Sequence, residues 1–447
     1  MKPVIETYSG QSRAGYRMTT TLQAITDKSQ THPQHRFQNL SCLLDEDLLY
    51  ESWKQLNKSA APGIDNIDAE GYAEQLSGNL SSLKDKLKTG DYRCAPIKRV
   101  YILKSNSGKR PLGLPILEDK IVQQSVSQIL QSIWEADFLP NSYGYRPNKS
   151  AHGAVHSLCL NLQYKGYGYI VEADIKGFFN NLSHAWLKRM LEQRIGDKRL
   201  IRLIQQWMTA KVIEPDGTKI KPLKGTPQGG VISPVLANIY LHYVLDIWFE
   251  KVVKPKLKGK AMLIRYADDF VLAFQLQQDA SNFYKVLPQR LEKFGLSVAP
   301  DKTRLIRFSR FHPGRQRCFV FLGFEFYWSR DRNRKPRLRR RTSRKKQHIS
   351  MKVLYDWIKR NRSKPINEFM ETIKRKLQGF SNYYGLPDNS GSLHVMYGHV
   401  IRSLYKWLNR RSQRRSYNWK GFKDMLNWFG IKPMKVWKRT HVIVDWF

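Results

Sequence analysis

Between Ala261 and Phe274 the chain runs AMLIRY, then Ala267-Asp268-Asp269, then FVLAF. Two apolar strand-length runs around so short a polar break predict a tight β-hairpin. Adjacent carboxylates at a hairpin tip repel each other, and that repulsion calls for a counterion, most simply a divalent metal. An ordinary polar turn explains one Asp better than two, and leaves the apolar flanks unexplained.

Two further segments carry polar groups where the local pattern makes them conspicuous. Tyr169 to Ala173 reads as a mostly buried strand, with Asp174 at its end. A carboxylate there is costly to bury unless a cation pairs with it, although turn or cap use of such an Asp is commoner. Gly225-Thr-Pro-Gln228-Gly229-Gly230 leads into VLANIYLHYVLDIW, whose Leu236, Ile239, Tyr240, Tyr243, Val244 and Ile247 follow a helical period. Ser233 is expected as the N-cap and Pro234 as the first helical residue. A glycine loop opening a helix lets backbone approach a base pair or a phosphate, and a merely flexible loop would also suit Gly-Gly. Asp174 and Asp268 are 94 residues apart, so only the fold can bring them together. If they meet, they can hold two Mg²⁺ ions about 3.5–4 Å apart, one activating a 3′-hydroxyl and one stabilising pyrophosphate.

Charge narrows the partner. The 447 residues hold 77 Lys+Arg against 37 Asp+Glu, a net of +40, with 41% hydrophobic residues. That is enough apolar material for a core, so the chain is not a disordered polycation. Nucleic acid is the expected partner, because phosphate neutralisation releases counterions. Cys42, Cys94, Cys159 and Cys318 are scattered without a CxxC pair, which argues against a cysteine zinc module or disulfide framework. No apolar leader and no stretch of the ~20 apolar residues needed to span a bilayer is seen, so a membrane is not an expected partner.

The surplus is uneven. From Tyr327 to Phe447 there are 31 Lys+Arg and 7 Asp+Glu, and Arg330–Lys346 alone holds 11 basic residues and one acid. A solvated linker is the plain reading of a basic run, but this density favours phosphate contact. Val353, Leu354, Trp357 and Ile358, then Phe369, Ile373, Leu377 and Phe380, recur at helical spacing. They predict a small helical domain with basic outer faces and mostly core aromatics. Tyr383 and Tyr384, between Gly379 and Gly385, are expected in a loop as base-stacking candidates.

The ordered set ADIKGFF, GTPQGGVISP, RYADDF, APDKT and FLGFEF resembles the palm motifs of reverse transcriptases. More narrowly, it resembles the group II intron-encoded reverse transcriptase and maturase family. Ala61-Pro62-Gly63-Ile64-Asp65, LKSNSGKRPLG and NSYGYRP resemble that family's N-terminal extension and fingers. The resemblance implies an α+β right-hand polymerase: fingers and palm of antiparallel sheet and helices, then an α-helical thumb. The expected division is 1–60 as a partly flexible N-terminal extension, 61–329 as fingers and palm, and 330–447 as a basic helical thumb and maturase domain.

Roles follow residue by residue from that resemblance. Asp174, Asp268 and Asp269 are the implied metal-binding acids, joined by the backbone carbonyl of Ile175. Two Mg²⁺ are the implied cofactors, with Mn²⁺ able to substitute. Phe179 resembles the steric gate against a 2′-hydroxyl, with a packed core Phe as its alternative. Gln228 resembles a nucleotide-pocket residue, and Lys104 and Arg110 resemble fingers residues that clamp the triphosphate. Lys302 resembles a general acid for pyrophosphate, or is a surface lysine. Phe321, Leu322 and Gly323 resemble the primer grip. Arg337, Arg339, Arg340, Arg341 and Lys345 fall where the family grips RNA.

The implied activity is RNA-directed DNA synthesis on a primer 3′-end, with binding of the chain's own group II intron RNA, splicing assistance and retromobility. The implied partners are an RNA template with a DNA primer, dNTPs, structured RNA and target DNA, in a bacterial, nucleoid-associated cytoplasmic setting. The cysteine pairs of an HNH endonuclease are not seen, so target-strand cleavage is not expected. Alternatives are a reverse transcriptase of a defence or CRISPR-associated system, or a non-catalytic splicing chaperone. The intact acids argue against the chaperone.

Overall fold

The computed structural model describes residues 11–103, 108–314, 317–412 and 416–437. Among them, eleven strands form three sheets. In chain order the strands are β1 (Ile97–Leu103), β2 (Lys109–Leu114), β3 (Tyr169–Asp174), β4 (Val212–Ile213), β5 (Lys219–Ile220) and β6 (Ala261–Tyr266). They continue as β7 (Asp269–Phe274), β8 (Arg304–Arg307), β9 (Phe319–Phe321), β10 (Phe324–Arg330) and β11 (Pro336–Thr342). The sheet orders are β2-β1-β4-β5, β6-β7-β3-β8 and β11-β10-β9.

Tertiary contacts divide the chain into two units. One comprises residues 1–154, 173–272 and 281–304, the other 155–172, 273–280 and 305–447. This division is not the contiguous one expected with a boundary at 329/330. The reason lies in the strands, since β3 and β7 each begin in one unit and end in the other.

In the first unit the helix Leu117–Trp134 has Ile121, Val122, Val126, Ile129, Leu130, Ile133 and Trp134 fully buried. A helix apolar nearly all round has to be surrounded by protein. Its Asp119 is buried too, accepting from the Tyr92 hydroxyl and from the Ala95 N–H at 3.1 Å. The Trp207 indole N–H in turn donates to the Tyr92 oxygen at 3.1 Å. Burial pushes the Asp119 carboxyl up to about 7, against the pull of those two donors. An acid raised on folding gives stability that is present below its ordinary value near 3.8 and is lost as pH rises towards 7. Asp119→Asn is therefore expected to flatten the fall of Tm between pH 4 and pH 8. An unchanged slope in thermal melts would show that Asp119 does not titrate there.

The second unit contains the β9–β10–β11 sheet and the helices Arg344–Asn361, Ile366–Tyr384, Ser390–Leu408 and Trp419–Trp428. Ile358, Phe369, Met370, Ile373, Val400, Leu404 and Phe422 form the centre of its core. The expected helical residues Leu354, Ile358, Phe369, Ile373 and Leu377 are buried, whereas Val353 is exposed. Among the aromatics, Phe369 and Trp407 are buried and Trp428 is 85% exposed, so that set is only partly core.

Two local expectations are corrected. The plain linker reading of the basic run fails: Pro336–Thr342 is the strand β11, paired antiparallel with β10, and Arg344–Lys346 open the helix that follows. Leu338, Arg340 and Thr342 point inward, and Arg337, Arg339 and Arg341 lie half-buried on the other face. Tyr383 and Tyr384 are not in a loop. They end the helix Ile366–Tyr384, which runs straight through Gly379. Both rings pack on Phe324, with centroids 5.7 and 5.2 Å away.

Candidate active site

The hairpin tip is tight. Only Ala267 and Asp268 separate β6 from β7, and Ala267 takes φ 56°. Two-residue hairpins need a positive φ that a residue with a Cβ adopts at a cost. The segment Asn141–Tyr145 braces the tip from outside. Arg265 N–H donates to the Asn141 carbonyl at 2.9 Å, and Tyr143 N–H to the Arg265 carbonyl at 2.8 Å. Gly144 lies so close that a Cβ there would stand 2.3 Å from the Ala267 nitrogen. No other residue fits at that position without moving the turn.

Asp174 ends β3 as expected. Beyond it, Ile175 pairs antiparallel with Val298. The flanking bonds run from Lys176 N–H to Ser297 and from Ala299 N–H to the Asp174 carbonyl, both 2.8 Å. In such a pair the central residue's own N–H and C=O face away from the partner segment. The Ile175 carbonyl thus points to the opposite edge of its strand, where β7 neighbours β3. The same pairing brings up the short helical turn Pro300–Lys302, and Lys302 Nζ reaches Asp174 Oδ2 at 2.5 Å.

The charges converge on one another. Burial holds the Asp268 carboxyl above its ordinary range, and the Asp174 carboxylate adds to this, while Arg110 and Lys302 oppose it. The hydrogen bond to Asp174 raises Lys302 above the usual lysine value, and Asp269 and Asp268 reinforce this. The three acids and Lys302 therefore share one electrostatic site.

Arg110, on β2, donates from Nε to Gln228 Oε1 at 3.2 Å, joining two residues expected at the nucleotide. The Gln228 carbonyl accepts from Gly113 N–H at 2.6 Å. The glycines of this loop serve close approach to protein backbone. A Cβ at Gly229 (φ 112°) would lie 2.5 Å from the Gly113 oxygen, and one at Gly225 (φ 86°) 2.7 Å from the Asn180 oxygen. Thr226 N–H donates to the Phe179 carbonyl at 2.8 Å, so the loop also carries the Phe179 segment. There Phe178 takes the core position, 2% exposed, and leaves Phe179 half-buried. Ile232, not Ser233, occupies the N-cap position of the following helix Ser233–Leu241, without a side-chain cap bond. Ser233 instead folds back, its hydroxyl 2.7 Å from that of Thr226 and donating to the Pro227 carbonyl at 2.9 Å. Lys104 lies outside the described residues.

Sequence reasoning missed the group that holds the tip from below. Arg265 is fully buried and forms a two-point pair with Asp246, also fully buried, at 2.9 and 2.6 Å. Its remaining donors reach Asn238 Oδ1 at 3.0 Å, the Ala267 carbonyl at 3.1 Å and Ser142 Oγ at 2.6 Å. The expected helical period breaks after Leu241, where His242–Asp246 forms a wider π-helical turn. Such turns re-aim side chains, often at functional sites. The one available signal was an arginine inside an otherwise apolar strand.

In the second unit the turn between β9 and β10 is Leu322-Gly323, both at positive φ, 51° and 80°. That is the type I′ pattern of a two-residue hairpin. The Leu322 carbonyl accepts from the Tyr383 hydroxyl at 2.9 Å, and the Gly323 carbonyl from Ser343 N–H at 2.9 Å. Phe321 is buried beneath the turn. Of the expected RNA contacts, Arg340 is buried, donating to Pro387 O at 3.4 Å and approaching Cys159 Sγ at 3.3 Å. Arg341 pairs with Glu325 at 2.7 Å, and Arg337 with Asp388 at 3.0 Å. Lys345 is exposed in the first turn of its helix, and Arg339 is half-buried.

Among the described residues, no three His, Cys, Asp or Glu side chains cluster as a closed metal centre would require. Two carboxylates and a carbonyl are nonetheless the donor set Mg²⁺ ordinarily takes from protein, since substrate phosphates and water complete its shell. The Lys302 ammonium is the cation that neutralises Asp174 within the protein. No described helix is long and apolar enough to cross a membrane.

Antiparallel sheets with acids at a hairpin tip, followed by a helical C-terminal region, are the fold of a right-hand polymerase. Comparison with known proteins agrees. Residues 102–326 match the reverse transcriptase (RNA-dependent DNA polymerase) family, and residues 346–424 match the group II intron, maturase-specific domain. Protein YkfC of Escherichia coli K12 is 31% identical over 340 residues, covering 68% of this chain and 86% of that protein. The group II intron-encoded protein LtrA of Lactococcus lactis is 38% identical over 226 residues, 49% of this chain and 37% of that one. A 91 kDa protein in the cob intron of Schizosaccharomyces pombe is 26% identical over 360 residues, 67% of this chain and 43% of that one. The match thus spans under half the length of the last two. The chain belongs to the reverse transcriptase family, in its group II intron-encoded, maturase-bearing branch.

Proposed function

We propose that the chain copies RNA into DNA by adding dNTPs to a primer 3′-end, with Asp174, Asp268 and Asp269 at the centre of the reaction. The observation that carries this reading is the placing of Asp174 at the end of β3 beside β7, whose turn bears Asp268 and Asp269, with Lys302 on Asp174 and Arg110 on Gln228. Asp174, Asp268 and the Ile175 carbonyl would hold two Mg²⁺. Bound there, the metal would activate the primer hydroxyl and neutralise the leaving pyrophosphate. The Lys302–Asp174 contact is the one such a cation would replace, freeing Lys302, kept protonated by its acidic surroundings, to give its proton to a pyrophosphate oxygen. Arg110 offers a charged fork to the triphosphate. Asp269, Gln228 and Phe321–Gly323 are assigned the supporting metal, nucleotide and primer roles.

Extension of oligo(dT) on poly(rA), with Mg²⁺ and with chelator, tests the reading. Metal-dependent incorporation of dTTP is expected, and its absence from folded protein would overturn it. Phe179 is assigned as the gate against a 2′-hydroxyl. Phe179→Ala is expected to lower dNTP-over-NTP discrimination by roughly 10- to 100-fold, the scale of a steric pocket contact. Unchanged discrimination in single-nucleotide incorporation would return Phe179 to packing.

The C-terminal unit is assigned to intron RNA, with Arg337, Arg339, Arg341 and Lys345 as contacts and Arg340 excluded by its burial. Splicing assistance, target DNA and mobility are the further roles that membership of the maturase-bearing branch implies. Relatives from Escherichia coli and Lactococcus lactis suit a bacterial cytoplasmic setting.

A further inference from the structure

Trp407 in the second unit is ringed by cations. The ammonium or guanidinium groups of Lys359, Arg362, Lys406 and Arg410 stand 5.5, 5.3, 5.4 and 5.7 Å from its ring centroid. Two come from the helix Arg344–Asn361 and its C-cap, and two from Ser390–Leu408 and the residues just past it. Lys406 Nζ also donates to the Tyr355 hydroxyl at 3.2 Å. That contact holds the half-buried Tyr355 phenol below its ordinary range, a mark of local positive potential.

Aliphatic stems covering a buried indole are a normal use of long basic side chains. Cover alone does not require four like charges, because a glutamate or glutamine stem covers as well. None of the four has a carboxylate ion-pair partner among the described residues. Six mutually repelling pairs around one ring are left for an anion to neutralise. All four centres lie within 5.7 Å of the indole centroid, so they form one dense positive patch around the ring, which suits an anion with more than one charge.

We propose that the cations over Trp407 form a phosphodiester-binding site that takes adjacent phosphates of a folded RNA. This rests on the assignment of the C-terminal unit to RNA and deepens it by naming the site. It is separate from the contacts assigned to β11, where Arg337 and Arg341 each also hold an acid of the protein.

The test is the salt dependence of binding to a labelled RNA hairpin, using full-length protein. The fourfold variant Lys359→Gln, Arg362→Gln, Lys406→Gln, Arg410→Gln leaves shorter, uncharged stems over Trp407, and its thermal melt reports whether it still folds. Losing two phosphate contacts is expected to reduce the slope of log K against log salt by about 1.4 to 1.8. A control with Lys352, Arg375, Lys420 and Lys423 changed to Gln, exposed in the same unit, is expected to move it by clearly less. An unchanged slope in the first variant, or an equal drop in the control, overturns the site while leaving RNA binding intact. Wild-type protein that does not bind the hairpin overturns the RNA assignment itself.

Discussion

Asp268→Asn is expected to abolish primer extension, by at least about 10³-fold, because it removes one of two carboxylates that position the metal and carry its charge. RNA affinity is expected to stay near wild type, since it comes from phosphates gripped by basic residues elsewhere. Stability supplies an independent check. Asp268 is an acid raised on folding, by burial and by Asp174. Its contribution is therefore favourable below the ordinary value near 3.8 and is lost as pH rises through the raised one. At neutral pH without metal, the ionised acid works against folding. Asn removes that burden, so the variant should melt no lower than wild type while being inactive. Such a trade of stability for activity is expected where charge is held for function. Extension assays paired with thermal melts at pH 7 decide it. Surviving extension refutes the metal assignment, and a large drop in Tm would mean that Asp268 is structural.

Much of the site was legible because its signals are local. An apolar run ending in Asp174, and two apolar runs around Ala267–Asp268, are strand patterns that specify their own ends. The convergence of Asp174 with Asp268 was implied by the family resemblance and not legible in the residues themselves. It depends on sheet order and on the Ile175–Val298 pairing, neither of which leaves a mark in sequence. The basic run misled for the opposite reason. Its density drew a reading from composition, while its alternation carried the structural information. Leu338, Arg340 and Thr342 share one face of β11, so Arg340 had to be buried once Leu338 was. Tyr383 and Tyr384 were placed in a loop on the strength of two flanking glycines, yet a single Gly379 costs a helix only about 1 kcal/mol. Packing on Phe324 outweighs that. The glycines of Gly225–Gly230 were read as facing a ligand. They are needed first for protein, because Gly225 and Gly229 lie against the carbonyls of Asn180 and Gly113.

Arg265 has consequences that reach the chemistry without touching it. Removing one partner of a fully buried ion pair leaves the other charged and unsolvated, so Arg265→Met and Asp246→Asn are each expected to cost about 3–5 kcal/mol. Replacing both, as Arg265→Met with Asp246→Leu, should recover most of that loss, because buried pairs are often no better than apolar groups of similar volume. Activity should not recover with it. Arg265 also holds the Ala267 carbonyl and Ser142, and Ala267 is the positive-φ residue immediately before Asp268. Without that tie the tip relaxes, and small misplacements of a catalytic group are costly in rate. The double variant is therefore expected to extend primers at least about 10-fold more slowly at saturating dNTP and to need more Mg²⁺ for half-maximal rate. Denaturant unfolding and a Mg²⁺ titration of extension separate the two effects. If stability and extension return together, Arg265 serves the core alone. If stability returns while the Mg²⁺ requirement stays raised, the buried arginine is a positioning residue for the acid beside it.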